Sequence, residues 1–239
     1  MTHNKYLLSL CCFLVLFNCK KEQDTSFSDI NMTIENNSIV AINIPEAGGN
    51  NMVASQINSD IQKTIISALH IGNPDEITSS SVEESITLFN AESEKFKTDF
   101  PELANSWEAQ IDGEVMYQSP ELISIAITSY TNTGGAHGSL NISFLNFNSE
   151  TGERIQNRQL FNNLEAFKIV AERFFKRAVK DKSLLLDNKL FELPKNIGYS
   201  EDGLILLYNT YEIAPYSTGI IEFSIPFKDI RSYLIFNSL

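Results

Sequence analysis

The segment from Trp107 to Phe147 decides the fold class, and it reads WEAQIDGEVMYQSPELISIAITSYTNTGGAHGSLNISFLNF. Residues 107–116 alternate between apolar or small side chains and mostly polar ones, which is the period-two pattern of a half-buried strand. Residues 122–130 and 139–147 have the composition of two further strands, and the glycine-rich segment 131–138 joins them. The segment therefore predicts neighbouring strands joined by short connections.

Helices are predicted on both sides of these strands. Between residues 53 and 69 an apolar residue recurs at every fourth position and forms one stripe, made of Val53, Ile57, Ile61, Ile65 and Leu69. A second helix begins near Ser81, because a hydroxyl three residues before the carboxylate of Glu84 has the form of a capping box. Its core-facing residues would be Ile86, Phe89, Phe96 and Phe100. Residues 164–179 predict a third helix with an apolar side and a largely basic side.

Shorter elements complete the prediction. Strands are expected within residues 31–44, as a hairpin or two short strands, and at residues 204–208 and 220–225, followed by a short terminal helix at 227–236. Helices interrupt the strand pairs without strict βαβ alternation. We therefore expect an α+β fold, with a mostly antiparallel sheet, packed helices and two closely associated subdomains.

The first residues have the composition of an export signal. Lys5 precedes an apolar run of about 12 residues, which is the length of a signal-peptide core and short for a membrane span. The run ends at Cys19, and Leu16-Phe17-Asn18-Cys19 resembles the cleavage site of a bacterial lipoprotein, although Asn18 replaces the usual small residue. We expect a signal peptide at residues 1–18, lipidation of Cys19 and a tether at 19–30. The alternatives are an ordinary secretory signal and an uncleaved anchor.

This expectation places the protein outside the cytoplasm. It would be exported and attached to the bacterial cell envelope by its lipid, most simply at the outer membrane. Cys11 and Cys12 would be removed and Cys19 modified, so the mature domain would have no thiol for catalysis or metal binding. The net charge of −12 argues against nucleic acid and against electrostatic adhesion to anionic lipid, and suits a cationic partner. Simple solubility is the alternative explanation of that charge.

Two histidines lie beyond the signal peptide, and they do not have the spacing of a metal site. His70 follows the first helix, where the helix dipole favours a cation, and we interpret it as structural. His137 lies in the glycine-rich loop between two strands. Such a loop can present an imidazole and backbone N–H groups to a ligand. Equally, the imidazole could bond a backbone carbonyl in a strained connection. We expect no metal and no cofactor.

Two further segments contain candidate functional residues. Glu108, Asp112 and Glu114 share one face of the strand at 107–115, at spacings that could serve glycoside hydrolysis. A solvated strand face is the plainer interpretation of these acids. Residues 208–219 bring three tyrosines together with a proline, which is typical of surfaces that dock sugars or proteins. A packed loop whose tyrosine hydroxyls bond the backbone is the alternative.

These loops carry a resemblance to a known family. TGGAHG at 133–138, with the following strand and TGE turn, and YEIAPYSTG at 211–219 resemble two hallmarks of an envelope domain of unknown function. That domain occurs in bacterial lipoproteins, in RsiV-type anti-sigma factors and beside the catalytic domain of PdaC-type peptidoglycan deacetylases. Residues 27–115 resemble the smaller domain that usually precedes it. The resemblance implies a tandem, which we divide into an N-terminal domain at 31–115 and a C-terminal domain at 116–239.

The resemblance implies an extracytoplasmic module that accompanies enzymes and sensors, without the metal-binding domain of the deacetylases. RsiV-type relatives imply recognition of a wall-acting protein such as lysozyme. We therefore expect a non-catalytic envelope lipoprotein that binds peptidoglycan or a cationic wall-acting protein. Its expected binding residues are Tyr130, His137, Tyr211, Glu212 and Tyr216. The alternatives are an envelope glycan hydrolase or esterase, and a structural scaffold.

Overall fold

The computed structural model describes residues 25–49, 51–103, 107–186 and 191–237. The signal peptide, Cys19 and the start of the tether lie outside these residues, so the predictions made for them stay predictions. No helix in the described ranges combines the length and the apolar character needed to cross a membrane.

A six-stranded sheet forms the larger part of the fold, with its strands in the sequential order β1 to β6. The strands are β1 (Ser26–Met32), β2 (Val40–Gly48), β3 (Glu108–Gln118), β4 (Leu122–Asn132), β5 (Ser139–Asn148) and β6 (Arg154–Ile155). Neighbours are antiparallel except β2 and β3, which are parallel. A parallel pair requires a long crossover. The helices α1 (Asn51–Leu69) and α2 (Val82–Asp99) lie within that crossover.

The first hydrophobic core lies between this sheet and the two helices. The predicted stripe of α1 is buried as expected, and each of its five residues is at most 2% exposed. It packs with alternate residues of the strands, among them Ile111, Ile125 and Ile127. The aromatic rings of Phe89 and Trp107 add to this core, with 5.5 Å between their centroids. The apolar residues at every fourth position of the helix thus pack against those at every second position of the strands, and together they form one apolar layer.

The ends of α2 differ in detail from the prediction. The Ser81 hydroxyl accepts a hydrogen bond from the Glu84 backbone N–H at 3.1 Å, so Ser81 caps the helix as expected. The Glu84 carboxylate, however, accepts from the backbone N–H and hydroxyl of Ser80, at 2.7 and 2.9 Å. Phe100 was expected in the core, and this prediction is wrong because its side chain is 51% exposed. Phe100 is the C-terminal cap, whose non-helical backbone takes it off the buried stripe.

A second sheet of three antiparallel strands contains β7 (Asn196–Tyr199), β8 (Gly203–Tyr208) and β9 (Ile221–Pro226). The helix α3 (Leu164–Ala178) packs on it through Phe167, Val170 and Ala171 and forms the second core. The predicted terminal helix is shorter than expected: α4 (Phe227–Ile230) is followed by a single 3₁₀ turn. The prediction of an α+β fold with mostly antiparallel sheets is confirmed.

The second sheet packs on the face of the first sheet that α1 does not cover. The Ser124 hydroxyl accepts from the Tyr199 backbone N–H at 3.0 Å, and the Asn146 amide donates to the Ile197 carbonyl at 2.7 Å. Gly198 lies against the ring of Phe144, so closely that a Cβ atom there would be 2.4 Å from the ring. Buried hydrogen bonds and a close backbone approach therefore join the two sheets.

Two expected boundaries differ from the structure. The tether was expected to extend to residue 30, but β1 begins at Ser26 because residues 26–32 pair with β2 along their whole length. The domain boundary expected at residue 115 falls inside β3, which pairs with β4 from Glu108 to Gln118. The sheet is therefore continuous through residue 155. Side chains beyond residue 115 enter both cores, since Tyr117 and Leu122 belong to the second core whereas Ile125 and Ile127 belong to the first.

Candidate functional site

Three aromatic side chains meet where the loop after β4 approaches the segment after β8. The imidazole of His137 stacks on the ring of Tyr216, with 3.6 Å between centroids and 12° between planes. Tyr211 lies beside both, with centroids 5.8 Å from Tyr216 and 6.5 Å from His137, and its side chain is 59% exposed. We call His137, Tyr211 and Tyr216 the aromatic cluster. Tyr211 is tilted by 36–37° to the other two rings, so the cluster is a stacked pair with a partly exposed third ring beside it.

The position of the loop after β4 is determined by close contacts of Gly138 with two tyrosines. The Gly138 carbonyl accepts a hydrogen bond from the Tyr216 hydroxyl at 3.0 Å. A Cβ atom at Gly138 would lie 2.4 Å from the ring of Tyr130, so only glycine leaves room for that ring. Gly134 has φ of +80°, and its N–H donates to the Asn132 side chain at 3.0 Å. The glycines therefore let the loop fold back over Tyr130 and bring His137 to Tyr216.

The segment after β8 is attached to the edge of β5 by Asn209. Its side-chain oxygen accepts from the Ile142 N–H at 2.8 Å, and its amide nitrogen donates to the Ile142 carbonyl at 2.9 Å. The Asn209 amide thus substitutes for a neighbouring strand. Two residues later, Tyr211 has φ of +66°, a left-handed conformation that is uncommon for a residue with a side chain. This conformation belongs to the turn that exposes the Tyr211 ring.

Glu212 contacts the backbone around its own turn, and its expected binding role stays a prediction. Its carboxylate accepts from the backbone N–H groups of Asn209 and Lys195, at 3.0 and 3.2 Å. It therefore closes the turn instead of joining the aromatic cluster. Burial, followed by the carboxylates of Glu212 and Glu192, raises the pKa of the Tyr208 hydroxyl. That hydroxyl donates to the Glu192 carbonyl at 2.5 Å, which fixes the end of β8 below the turn.

The histidines have well-defined partners. His137 Nδ1 lies 3.3 Å from the Gly138 carbonyl, and Nε2 lies 3.5 Å from the Tyr211 hydroxyl. His137 therefore has the backbone contact of the plainer interpretation as well as an exposed, stacked ring. His70 Nε2 lies 2.9 Å from the Asn73 carbonyl, as a structural residue would. The described residues contain no group of three or more His, Cys, Asp or Glu arranged to hold a metal ion.

A row of polar residues lies on the same sheet face as Tyr130. Gln110 is directly opposite Tyr130 in the pairing of β3 and β4, and Asp112 is opposite Thr128. Gln110 donates to the Asp112 carboxylate at 2.8 Å. With Glu108 and Glu114 these residues form a largely exposed row, which we call the acidic row. The alternation of β3 predicts that its acids share a face, but Gln110 and the proximity to Tyr130 were missed, because strand pairing is not local in sequence.

The structure also contains a groove that the sequence did not predict. It has a volume of about 430 Å³ and lies between α1 and strands β4 and β5. Its lining is rich in hydroxyl and amide groups, from Thr64, Ser67, Ser129, Asn141, Ser143 and Asn209. Asn209 therefore contributes both to this groove and to the attachment of the tyrosine segment.

Comparisons with known proteins divide the chain into two family matches. Residues 32–140 match the family model described as deacetylase PdaC, and residues 153–228 match the family model of a protein of unknown function, DUF3298. The tandem expected from the resemblance is confirmed. The first match includes the TGGAHG loop, which we had expected in the second domain. His137 and Tyr216 therefore come from different domains of the tandem, and the aromatic cluster lies where these domains meet.

Solved structures share the fold. A DUF3298 family protein from Pseudomonas aeruginosa PAO1 has a TM-score of 0.58 and 19% identity, over 90% of this chain and 95% of that one. A DUF3298 family member from Bacteroides fragilis NCTC 9343 has a TM-score of 0.64 and 18% identity, over 90% of this chain and 96% of that one. No curated protein matches the chain significantly. At these identities the likeness establishes the fold alone.

Proposed function

We propose that this chain, which consists of a PdaC-type domain followed by a DUF3298 domain, is a non-catalytic lipoprotein that binds the glycan of peptidoglycan. The tandem indicates a cell-envelope-associated protein. The observation that carries the finer proposal is the stack of His137 on Tyr216 with the exposed ring of Tyr211 beside it. Exposed aromatic rings with polar tips suit sugars, whose rings have apolar faces and hydroxyl edges.

The surroundings of the aromatic cluster support a saccharide ligand. Gln110 and Asp112 lie next to Tyr130 on the same sheet face, and amide and carboxylate groups can accept and donate hydrogen bonds at the rim of an aromatic platform. The cluster is held by Gly138, Asn209 and Glu212 through backbone contacts. Such attachment lowers the conformational entropy that binding would otherwise have to remove.

The test is co-sedimentation of the protein with purified peptidoglycan, comparing two aromatic-to-alanine variants. Tyr211→Ala should weaken retention by roughly fivefold, since an aromatic contact contributes about 1 kcal/mol beyond its buried area. Phe100→Ala is the matched control, because Phe100 is also exposed, at 51%, and lies outside the cluster. If Tyr211→Ala is retained as well as the unmodified protein, the aromatic cluster is not the glycan site.

A cationic wall-acting protein is the second candidate, and the acidic row favours it. Glu108, Asp112 and Glu114 lie on the sheet face that adjoins the cluster, on a chain of net charge −12. Opposite charges accelerate encounter and are screened by salt. Glu108→Gln with Glu114→Gln should weaken retention of a cationic muramidase at low salt and leave peptidoglycan retention unchanged. If the double variant and the unmodified protein retain the muramidase equally, this candidate is excluded.

The proposed anchor is a lipid on Cys19. The Thr25 carbonyl accepts from the Gln118 side chain at 2.7 Å, so the chain is held to the end of β3 from that point. Six residues of extended chain span at most about 20 Å, which would keep the domain near the membrane. Intact-mass measurement of the native protein should give a product that begins at Cys19 and carries a diacylglycerol. Cys19→Ser should move the protein out of the membrane fraction, and unchanged membrane association would refute the anchor.

A further inference from the structure

The charge of the chain is unevenly distributed. Five of its 18 Lys and Arg residues, Lys168, Arg173, Lys176, Arg177 and Lys180, lie within residues 168–180. That segment contains a single acid, Glu172, whereas the chain as a whole has a net charge of −12. A basic segment in an otherwise acidic chain is typical of contact with an anionic surface.

The cations of α3 lie on its outer side. Phe167, Val170 and Ala171 are buried in the second core, whereas Arg173, Lys176 and Arg177 are exposed. Ile169, Arg173, Lys176 and Arg177 have the i, i+4, i+7 and i+8 spacing of one side of a helix, and the exposed Lys180 follows beyond the C-terminal cap Val179. Ile169 is 65% exposed at the start of this stripe. We call Ile169, Arg173, Lys176, Arg177 and Lys180 the basic face.

These cations differ from those on the other long helices. Lys63 of α1 and Lys95 and Lys97 of α2 each form a salt bridge with an acid three residues earlier. On the basic face Lys176 pairs with Glu172, but Arg173 and Lys180 form no salt bridge within the described part of the chain. The nearest acids along the segment are Glu165, Glu172 and Asp181, which leave an excess of positive charge.

We propose that the basic face of α3 docks on the anionic phospholipid surface of the membrane. Basic residues on an amphipathic helix are attracted to anionic headgroups, and an exposed aliphatic side chain can enter the boundary with the acyl chains. Ile169 meets this second requirement, and Leu186, which is 60% exposed, follows in the same part of the chain. A helix dipole favours cations at the last turn, but it accounts neither for the exposed Ile169 nor for Lys180 beyond the helix end.

The overall negative charge does not prevent this contact. Charges farther than about 8 Å from a surface are largely screened at physiological ionic strength, so the residues that touch the headgroups decide the interaction. Tyr117 and Leu122 flank the turn after β3 and belong to the same core as α3. Thr25 is held at Gln118, in this same part of the fold. A membrane-anchored chain would therefore enter the domain at the end of β3, and the basic face would orient the domain on the membrane.

The experiment is vesicle co-sedimentation with an unlipidated chain that begins at residue 20. Both cores are built from residues between Phe27 and Phe236, so this chain keeps them whole. It should bind vesicles of equal parts phosphatidylglycerol and phosphatidylcholine, bind phosphatidylcholine alone weakly, and lose binding at high salt. Each cation near an anionic surface changes partitioning roughly fivefold. Arg173→Glu, Lys176→Glu and Arg177→Glu together should therefore reduce partitioning on the order of a hundredfold.

The matched control reverses the same number of charges elsewhere, with Lys63→Glu, Lys95→Glu and Lys97→Glu, and should keep most of the binding. Ile169→Ser changes no charge and sits at an exposed position, so it should fold normally and bind about tenfold more weakly. Thermal unfolding checks that every variant is folded. The proposal fails if the unmodified chain ignores anionic vesicles, if both triple variants bind alike, or if only soluble polyphosphate is bound.

Discussion

The two faces of the six-stranded sheet are built from alternate residues of the same strands, but they differ in burial. On the face covered by α1 and α2, Ile111 is fully buried. On the opposite face Gln110, its neighbour along β3, is exposed next to Tyr130. The second sheet covers part of this opposite face, around Ser124, Phe144 and Asn146. The remaining half is open and adjoins the aromatic cluster. Burial thus stabilises one face, whereas the other is free to contact a ligand.

Adjacent substitutions on β3 test this comparison with the largest expected effect. Ile111→Ala should lower the free energy of unfolding by about 2–5 kcal/mol, because it leaves a cavity in the first core. Gln110→Ala, one residue away on the open face, should change it by less than about 0.5 kcal/mol. Denaturant titration measures both values. Similar losses in the two variants would show that the open face is as important for stability as the covered one.

The covered face could be predicted from the sequence because its signals are local. The stripe from Val53 to Leu69 and the alternation that includes Ile111 each require only neighbouring residues to be recognised. The exposed Phe100 shows the limit of this reasoning, since the spacing of residues cannot tell where a helix stops winding. The strand at Ser26 was missed for a related reason: residues 26–30 alternate weakly and become a strand by pairing with β2.

The two loops were predicted to form one site, but the contacts that join them were not. Glycine and tyrosine content singled out residues 131–138 and 208–219, but their meeting depends on Asn209 binding the edge of β5, 67 residues earlier in the chain. A contact between residues so far apart cannot be predicted from the pattern of neighbouring residues. Glu212 was predicted to bind as part of the loop at 208–219, and the hydrogen bonds that its carboxylate accepts from backbone N–H groups were not predicted. A carboxylate within a turn can satisfy either role, and only the geometry separates them.

The next largest effect is expected where the open face meets the loop, at Gly138. Gly138→Ala should lower the free energy of unfolding by about 1–3 kcal/mol, because the new methyl group would overlap the ring of Tyr130. It should also weaken retention on peptidoglycan, since His137 moves with the loop. In a Tyr130→Ala background the same change should have little effect on stability. A double-mutant cycle measures this coupling, and additive effects would show that the ring does not position the loop.

A smaller effect is expected at Asn209, which connects the edge of the first sheet to the tyrosine segment. Asn209→Ala removes two hydrogen bonds to the backbone of Ile142 and should reduce the free energy of unfolding by about 1–2 kcal/mol. Thr210→Ala, at the next position, serves as the control and should stay within about 0.5 kcal/mol. Equal values for the two variants would mean that water replaces the Asn209 amide without loss.

The smallest effect concerns the attachment of α2, one of the two helices that cover the buried face. Hydrogen bonds from the backbone and side chain of Ser80 lower the pKa of the Glu84 carboxyl. A lowered pKa in the folded state means that the carboxylate stabilises the fold above its ordinary pKa and loses this contribution as the pH falls through the lowered value. Glu84→Gln should therefore be less stable than the unmodified protein at pH 7, and the difference should shrink towards pH 3. Thermal unfolding across this range measures it, with Glu83→Gln on the same turn as the control. A difference that is constant with pH would assign the stabilisation to helix packing instead of to the charge at Ser80.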